Sequence, residues 1–327
     1  MKIMVVGWAV VCILGGLIAV DLLVHLVSAL IMLPIFERKP PFGVQPAAPD
    51  PGAENISIST SHGLELQGSL HRHFEQPARG LILFCPELGG NHWSAMSYCQ
   101  GLWNAGFDIL AFDFRNQGES DSMPDYDPLH WLTDYEVKDV LAAIDYVRQR
   151  DDLQDLPLGL FGISRGGAAA LAAAAHCRGI EGVACEGVFS TDSLTLHFTL
   201  RWASLFIPGW LLKLIPLWHL SFTLTLTRLI SQIRKRCRYT DLQRLVSRLQ
   251  NTPVLMIAGG RDTYVLPEIT EVLCQRIGRS CKGVWVVPQA KHNMARQVEP
   301  IAYDRRLVEF FSRLPATPAS SKSWIAS

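Results

Sequence analysis

The chain has 327 residues, of which 49% are hydrophobic, and its 30 basic side chains balance 30 acidic ones. This length fits one domain of about 250 residues with appendages. Because the formal net charge is zero, the composition gives no argument for a nucleic-acid partner, and we predict none. The eight cysteines show no zinc-type spacing; most are predicted to be buried thiols, while Cys274 and Cys281 can pair if the domain faces an oxidising compartment.

An apolar run from Ile3 to Leu33 begins the chain. It exceeds the roughly 20 residues that cross a bilayer, so we predict that residues 1–36 form the transmembrane anchor of a single-pass membrane protein. Positive charge is similar on the two sides, with Lys2 before the run and Arg38-Lys39 after it, which leaves the orientation open. A cleavable signal peptide is the alternative, although no convincing A-x-A cleavage site follows.

Asp21 and His25 interrupt this run one helical turn apart. They can face each other, another protomer or the membrane interface. An ionisable pair at membrane depth is also a hypothesis for a functional site. The sequence does not choose among these alternatives.

Residues 37–53 are rich in proline and predict a linker. A segment of this composition is extended and semi-rigid, so we expect it to hold the next domain away from the anchor. The folded domain is predicted to span residues 54–314, and the tail 315–327 is predicted to be disordered. The prolines are Pro40, Pro41, Pro46, Pro49 and Pro51.

Two alternating segments, Asn55–Thr60 and Leu64–His71, flank a Ser-His-Gly turn and predict a β-hairpin. His71 and His73 lie on one face of the second strand, at a spacing that two metal ligands can use. Since no third ligand is in view, we favour a solvated strand edge over a metal site.

Strands and helices alternate along the rest of the domain. Short apolar runs predict strands, and runs with one apolar face predict helices. This alternation implies right-handed crossovers and a mostly parallel sheet, with the active site outside the carboxyl ends of the strands. Glu186 is a charged residue within a predicted buried strand, and pairing with a neighbour would account for it. The predicted strands are Gly80–Cys85, Phe107–Phe112, Leu158–Ile163, Gly182–Phe189, Pro253–Ala258 and Val284–Val287, and the predicted helices include Ser94–Asn104, Leu132–Arg150 and Glu299–Ser312.

The strand Leu158–Ile163 leads into Gly162-Ile163-Ser164-Arg165-Gly166, which has the G-x-S-x-G pattern, and an alanine-rich helix follows. In this context the pattern predicts a nucleophile, because the tight turn holds the serine in a strained conformation and lifts its hydroxyl clear of the sheet. Positions 162 and 166 require glycine because a larger side chain at either would collide as the strand and the helix approach each other. The helix N-terminus also favours negative charge that develops beside Ser164.

With these features the chain resembles the α/β-hydrolase superfamily. Pro86-Glu87-Leu88-Gly89-Gly90 stands where the family has its His-Gly-x-x-Gly oxyanion turn, with Glu87 replacing a glycine. The loop Asp113–Ser120 resembles the family's D-x-R-G-x-G-x-S segment. The resemblance covers Asn55 to about Leu314. It implies an α/β-hydrolase fold, a mostly parallel sheet flanked by helices, with a helical lid insertion at about 191–251.

The resemblance also implies a catalytic triad. Ser164 lies in the family's nucleophile elbow, the tight turn of the G-x-S-x-G pattern. Asp262 follows the strand Pro253–Ala258, where the family places its acid, and His292 matches the family's base on the loop before the last helix. Asp192 is the rival acid, because it follows the preceding strand, where some members of the family carry theirs. The order Ser, Asp, His is that of the family.

The expected function is a serine hydrolase that cleaves an ester, thioester or amide of an apolar acyl substrate through an acyl-enzyme. The backbone N–H groups of Leu88 and Arg165 are expected to form the oxyanion hole. No metal or organic cofactor is expected. The alternatives are an aminopeptidase-like enzyme, an acyltransferase, or a noncatalytic binding protein on the same fold, which the glycine replaced by Glu87 keeps open.

The insertion between Thr191 and Asn251 combines apolar and basic residues. Its apolar part, Leu194–Ile230, precedes a cluster of arginines and lysines that is opposed mainly by Asp241. This composition predicts either a lid that rests on an anionic bilayer and admits an apolar acyl chain, or a helical cap with solvated arginines. The aromatic residues include Trp202, Phe206, Trp210 and Trp218, and the basic ones are Arg228, Arg234, Lys235, Arg236, Arg238, Arg244 and Arg248.

Overall fold

The computed structural model describes residues 2–40, 44, 46–73 and 77–313. The predicted tail at 315–327 lies outside the described residues. The chain divides into two compact units: Met1–Lys39 with Thr195–Arg236, which we call the helical unit, and Pro40–Leu194 with Cys237–Ser327, which we call the sheet unit.

A sheet forms the centre of the sheet unit, and the described residues contribute eight strands to it in the order β1-β2-β4-β3-β5-β6-β7-β8. β2 pairs antiparallel with β1 and with β4, and the remaining neighbours are parallel. The predicted hairpin and the mostly parallel sheet are therefore confirmed. The strands are β1 (Glu54–Ser59), β2 (Glu65–His71), β3 (Leu81–Cys85), β4 (Asp108–Phe112), β5 (Leu158–Ile163), β6 (Gly182–Glu186), β7 (Val254–Gly259) and β8 (Cys281–Val287).

Helices follow the strands as predicted, with boundaries that differ from the predicted ones by a few residues. The insertion is helical: α5 begins in the sheet unit, and α6 and α7 lie in the helical unit with α1. The helices are α1 (Lys2–Phe36), α2 (Ala95–Asn104), α3 (Asp134–Gln149), α4 (Arg165–Ala174), α5 (Thr191–Phe206), α6 (Gly209–Leu212), α7 (Leu217–Lys235), α8 (Leu242–Leu245), α9 (Pro267–Ile277), α10 (Ala295–Val298) and α11 (Pro300–Ser312).

Two hydrophobic clusters cover the two faces of the sheet. One packs α3, α4, α8 and α9 against it, and the other packs α2, α10 and α11. Every residue of β3, β5 and β6 is buried, as expected for central parallel strands with helices on both faces. Every residue of α4 is buried as well, because alanine and glycine let this helix lie close to β5.

The structure corrects the prediction for His71. β2 lies between β1 and β4, so it is not a sheet edge, and the His71 side chain is buried. Its Nδ1 lies 3.3 Å from Asp50 Oδ2 and its Nε2 lies 3.3 Å from Ser69 Oγ. The solvated strand edge was therefore wrong for this residue, because two-sided pairing of β2 could not be inferred from the strand itself.

Part of the proline-rich segment lies against the sheet unit. The Ala47 N–H donates to Asn91 Oδ1 at 3.1 Å, and Asn91 Nδ2 donates to the Ala47 carbonyl at 3.0 Å. This part of the segment therefore does not stand clear of the domain as we expected. Cys274 and Cys281 form a disulfide with Cα atoms 5.4 Å apart, so the anticipated pairing is present.

In the helical unit, α1 packs along α7. Within the described residues, Val11–Phe36 of α1 is the one segment long and apolar enough to cross a membrane, with a mean hydropathy of 2.3. A signal sequence near an N-terminus has the same properties. Apolar side chains on this unit are largely exposed, among them those of Trp202, Phe206, Trp210 and Trp218.

Candidate active site

The elbow around Ser164 has the strained geometry that its motif predicts. Ser164 has φ 52° and ψ −119°, a conformation that costs a non-glycine residue of the order of 1–3 kcal/mol. Its N–H donates to the Glu186 carbonyl at 2.8 Å, which fixes the turn to β6. A Cβ atom at Gly162 would lie 2.6 Å from the Gly166 backbone, and one at Gly166 would lie 2.2 Å from the Cys85 carbonyl oxygen. Only glycine fits both positions.

Ser164, His292 and Asp262 meet beyond the carboxyl ends of β5 and β7. Ser164 Oγ lies 3.1 Å from His292 Nε2, and His292 Nδ1 lies 2.6 Å from Asp262 Oδ2. With its Nδ1–H donated to the carboxylate, the imidazole presents the Nε2 lone pair to the serine hydroxyl. The structure thus brings together all three predicted side chains. The rival Asp192 is exposed in the first turn of α5.

The Asp262 carboxylate is held rigidly from its other side. Its Oδ1 accepts hydrogen bonds from the N–H groups of Tyr264 at 2.8 Å and Val265 at 2.9 Å. The Asp262 side chain is 2% exposed and that of His292 is 11% exposed. The carboxylate is therefore desolvated and oriented, while the imidazole keeps access to a substrate.

The two predicted oxyanion donors lie on loops at the same end of the sheet. Leu88 follows β3, and Arg165 is the first residue of α4. Within the described part of the chain, no group accepts a hydrogen bond from either backbone N–H. The Arg165 side chain is buried beneath the elbow, where Nη1 donates to the Leu129 carbonyl at 2.9 Å. The group of Arg165 that is available to the candidate site is therefore its backbone N–H and not its guanidinium.

Glu87, which stands at the glycine position of the expected oxyanion turn, is buried. Its Oε1 accepts a hydrogen bond from the Tyr98 hydroxyl at 3.1 Å, whereas no described residue donates a hydrogen bond to its Oε2. Burial raises the pKa of this carboxyl. The next residues are held from outside the turn, because Gln117 Oε1 accepts from the Gly89 N–H at 2.8 Å. The turn therefore tolerates Glu87 by enclosing its side chain.

Asp113 links the loop after β3 to the loop after β4. Its Oδ1 accepts from the His92 N–H at 2.6 Å and its Oδ2 accepts from the Glu119 N–H at 2.8 Å. Burial raises the pKa of Asp113 to about 6. A Cβ at Gly118 would overlap this carboxylate, which explains the glycine of the D-x-R-x-x-G-x-S segment.

Comparison with known proteins identifies the family. Residues 82–304 match the alpha/beta hydrolase family. This chain belongs to that family.

Curated relatives of this hydrolase match it over part of their length. Uncharacterized protein YfhR of Salmonella typhi is 32% identical over 158 residues, which cover 43% of this chain and 51% of that protein. Thiohydrolase aneE of Aspergillus aculeatus is 38% identical over 71 residues, 21% of each chain. Uncharacterized protein YqkD of Bacillus subtilis is 23% identical over 259 residues, 79% of this chain and 78% of that protein. The match to YfhR spans about half the length of that relative.

Solved structures share the fold of this hydrolase. The Pyrococcus furiosus esterase Pf2001 superposes with a TM-score of 0.60 and 21% identity, covering 84% of this chain and 97% of that one. The alpha/beta hydrolase GrgF from a Penicillium species superposes with a TM-score of 0.59 and 16% identity, covering 81% and 99%. At these identities the likeness shows the fold alone.

Two residues position the histidine loop of this hydrolase: Glu186, which the sequence marked as unusual without indicating its partner, and Gly187, which the sequence did not mark. Glu186 is 1% exposed; its Oε1 accepts from the Ala295 N–H at 2.8 Å and its Oε2 from the Tyr303 hydroxyl at 2.7 Å. These two hydrogen bonds are the pairing that we expected for a charged residue in a buried strand. Burial raises the pKa of the Glu186 carboxyl. Gly187 has φ +63°, and a Cβ there would lie 3.0 Å from His292 Cε1. A glycine directly after a charged residue in a buried strand was the available signal.

Proposed function

We propose that this protein is a serine hydrolase that cleaves a carboxylic ester, or a thioester or amide, of an apolar acyl substrate through an acyl-enzyme. The observation that carries the proposal is the continuous contact from Ser164 Oγ through His292 to Asp262, at 3.1 and 2.6 Å. Nucleophile, base and orienting acid within hydrogen-bond reach are the requirement for serine catalysis.

In the acylation step His292 Nε2 takes the hydroxyl proton as Ser164 Oγ attacks the carbonyl carbon. Asp262 keeps the imidazole in the productive tautomer and stabilises the imidazolium. His292 then gives the proton to the leaving group, and water, deprotonated by the same imidazole, releases the acyl group. None of these steps needs a metal or organic cofactor.

The N–H groups of Leu88 and Arg165 are proposed to stabilise the oxyanion of both tetrahedral intermediates. They belong to different loops, and neither donates a hydrogen bond to another part of the described chain. Loss of one such donor typically costs about 3–4 kcal/mol of activation free energy. The Gln117 contact to Gly89 and the Asp113 contacts support the loop that carries Leu88.

An activity-based probe tests this function. A fluorophosphonate should label Ser164 in the wild type and fail on Ser164→Ala, and kcat/KM on p-nitrophenyl esters should fall by about 10⁴ or more in that variant. Ser61→Ala, in the hairpin turn, is the control and should behave as wild type. Absence of labelling and of turnover in the folded wild type would leave a noncatalytic binding protein.

A substrate panel separates the remaining alternatives. Acyl esters of increasing chain length, acyl thioesters and aminoacyl amides should be compared with the same purified protein. Preference for aminoacyl amides would indicate an aminopeptidase-like enzyme. Formation of a new ester when an alcohol is added, with little free acid, would indicate an acyltransferase. Release of free acid from long-chain esters or thioesters is the result we expect.

We further propose that α1 anchors the hydrolase to a membrane. The 26 residues of Val11–Phe36 span about 39 Å as a helix, more than the roughly 30 Å hydrocarbon core of a bilayer. The exposed aromatic side chains of the helical unit also fit a membrane interface. The full chain should stay in the membrane pellet after alkaline carbonate extraction with its N-terminus intact. Release, or loss of the first residues by mass spectrometry, would support the signal peptide.

The basic residues after the apolar part of the insertion give this proposal a second test. Arg234, Lys235 and Arg236 lie at the end of α7, where lysine and arginine near an anionic surface each contribute about 1 kcal/mol of attraction. Turnover of an ester carried in anionic vesicles should exceed that in zwitterionic vesicles, and replacing the three by Gln should reduce this preference. An unchanged preference would favour the solvated helical cap.

A further inference from the structure

A group of polar side chains lies between two helices whose surfaces are otherwise apolar. Asp21 and His25 belong to α1, and His219 and Thr223 belong to α7, about 198 residues further along the chain. We call these four residues the α1/α7 cluster. They all lie in the helical unit, so nothing about this cluster depends on the triad.

Three potential ligand atoms converge in the cluster. His219 Nε2 lies 3.1 Å from Asp21 Oδ1, and His25 Nε2 lies 3.5 Å from Asp21 Oδ2. All three ligand groups present an atom within 4.8 Å of the others. The centroids of the two imidazole rings are 4.1 Å apart, with the ring planes inclined by 44°. The rings are therefore tilted and not stacked flat, and the Nε2 atom of each lies near an oxygen of the Asp21 carboxylate.

The separations fit a tetrahedral metal ion. Bonds of about 2.0–2.1 Å at the tetrahedral angle place neighbouring ligand atoms about 3.3 Å apart. The two imidazoles approach different oxygens of Asp21, His219 Nε2 at 3.1 Å from Oδ1 and His25 Nε2 at 3.5 Å from Oδ2, and these distances lie on either side of that value. Two imidazoles and one carboxylate form a borderline-soft donor set that suits Zn²⁺, with a fourth position left for water.

Thr223 supplies the support that metal-binding histidines usually have. His25 Nδ1 lies 2.7 Å from Thr223 Oγ1, and both residues are buried. If His25 donates its Nδ1–H to this hydroxyl, its Nε2 is left with a lone pair directed at the cluster. In this tautomer the lone pair and the carboxylate oxygen 3.5 Å away repel each other, and a cation bound between them removes that repulsion. The ring of Phe222, 4.7 Å away, packs against the same imidazole.

We propose that Asp21, His25 and His219 form a binding site for a divalent transition metal of the zinc class, with Thr223 orienting His25. The ion links α1 to α7 across a long stretch of sequence and neutralises a carboxylate on an apolar helix, where a negative charge is otherwise unfavourable. It is a site of the helical unit, separate from the residues proposed for catalysis.

Metal titration of the full chain in detergent or nanodiscs tests the site. The protein, with any affinity tag removed, is stripped with EDTA, dialysed and titrated with Co²⁺, whose visible absorption reports tetrahedral coordination. One Co²⁺ per chain should bind, and one equivalent of Zn²⁺ should displace it. The absence of saturable binding, or an absorption typical of octahedral aquo-cobalt only, would overturn the proposal.

Variants locate the ion. His219→Ala and Asp21→Asn should weaken binding at least tenfold, and Thr223→Val should weaken it by about tenfold through loss of orientation. His197→Ala, a histidine of α5 in the same unit, is the matched control and should bind as wild type. Circular dichroism and fluorophosphonate labelling of each variant show whether it is folded. Folded His219→Ala and Asp21→Asn that bind with wild-type affinity would mean that the cluster is only a hydrogen-bonded contact between the helices.

Discussion

The Gly187→Ala substitution would place a methyl group against the imidazole of His292 in the candidate triad. The new Cβ would lie 3.0 Å from His292 Cε1, 3.3 Å from its Nδ1 and 2.6 Å from Asn293 Oδ1. The Asn293 side chain can rotate away, but the imidazole is held by Asp262 at 2.6 Å. Since carbon atoms in contact are about 3.5–4.0 Å apart, the ring has to move by about half an ångström or more.

Two effects of different size follow. Gly187 has φ +63°, so alanine there costs about 1 kcal/mol of stability whatever its neighbours. The displaced imidazole also changes the 3.1 Å contact to Ser164 Oγ, and a misplacement approaching 1 Å costs about 10²-fold in rate. We therefore expect kcat/KM to fall by about 10- to 100-fold, mainly through kcat, because in the proposed mechanism this contact serves the chemical step.

Gly63→Ala separates the two effects. Gly63 has φ +74°, and a Cβ there would meet no described atom within 4 Å. Gly63→Ala should lose about 1 kcal/mol of unfolding free energy in urea and Gly187→Ala at least as much, but only Gly187→Ala should lose ester turnover and fluorophosphonate reactivity. If kcat/KM of the Gly187 variant lies within about threefold of the Gly63 variant, the inferred contact between residue 187 and the imidazole does not govern the rate.

Three further outcomes concern the loops and the fold around the site. Because its folded-state pKa is raised to about 6, Asp113 contributes stability below pH 4 that is lost as the pH rises through 6. The unfolding free energy of the wild type should therefore fall, relative to that of Asp113→Asn, by up to about 3 kcal/mol as the pH rises over this interval; a constant difference between the two would contradict this. Reducing the Cys274–Cys281 disulfide, or replacing both residues by Ser, should cost about 2.5 kcal/mol from the closure of its short loop, measured by urea denaturation; a cost near zero would show that the loop is equally restricted without it. Tyr303→Phe leaves a Glu186 oxygen without its hydroxyl donor and should cost about 1–3 kcal/mol, whereas unchanged stability would show that water replaces that donor.

The alternation of strands and helices and the turn at Ser164 could be predicted because they depend on local patterns, such as glycine at positions 162 and 166, two residues on either side of Ser164. Asp262 and His292 could be predicted because the resemblance to the α/β-hydrolases indicates after which strands the acid and the histidine lie. The order of these segments along the chain then limited the candidates for the acid to Asp262 and Asp192. In the structure Asp262 contacts the imidazole, and Asp192 is exposed.

The remaining features depend on contacts between distant segments, which periodicity does not record. His71 looked like an edge residue because nothing in β2 states that β4 will pair with its other side. The role of Glu186 depends on Ala295, more than 100 residues later. Likewise, Asp21 and His25 had no determinable partner until α7 placed His219 beside them.

The end of β6 has a consequence for redesigning this enzyme. The carbonyl of Glu186 accepts from the Ser164 N–H, and its carboxylate accepts from the Ala295 N–H, three residues after His292. Glu186 therefore holds both the loop of Ser164 and the loop of His292, and so affects the 3.1 Å distance between Ser164 Oγ and His292 Nε2. Mutant libraries that aim to widen substrate range should leave positions 185–187 unchanged, since a shift there would alter the chemistry for every substrate alike.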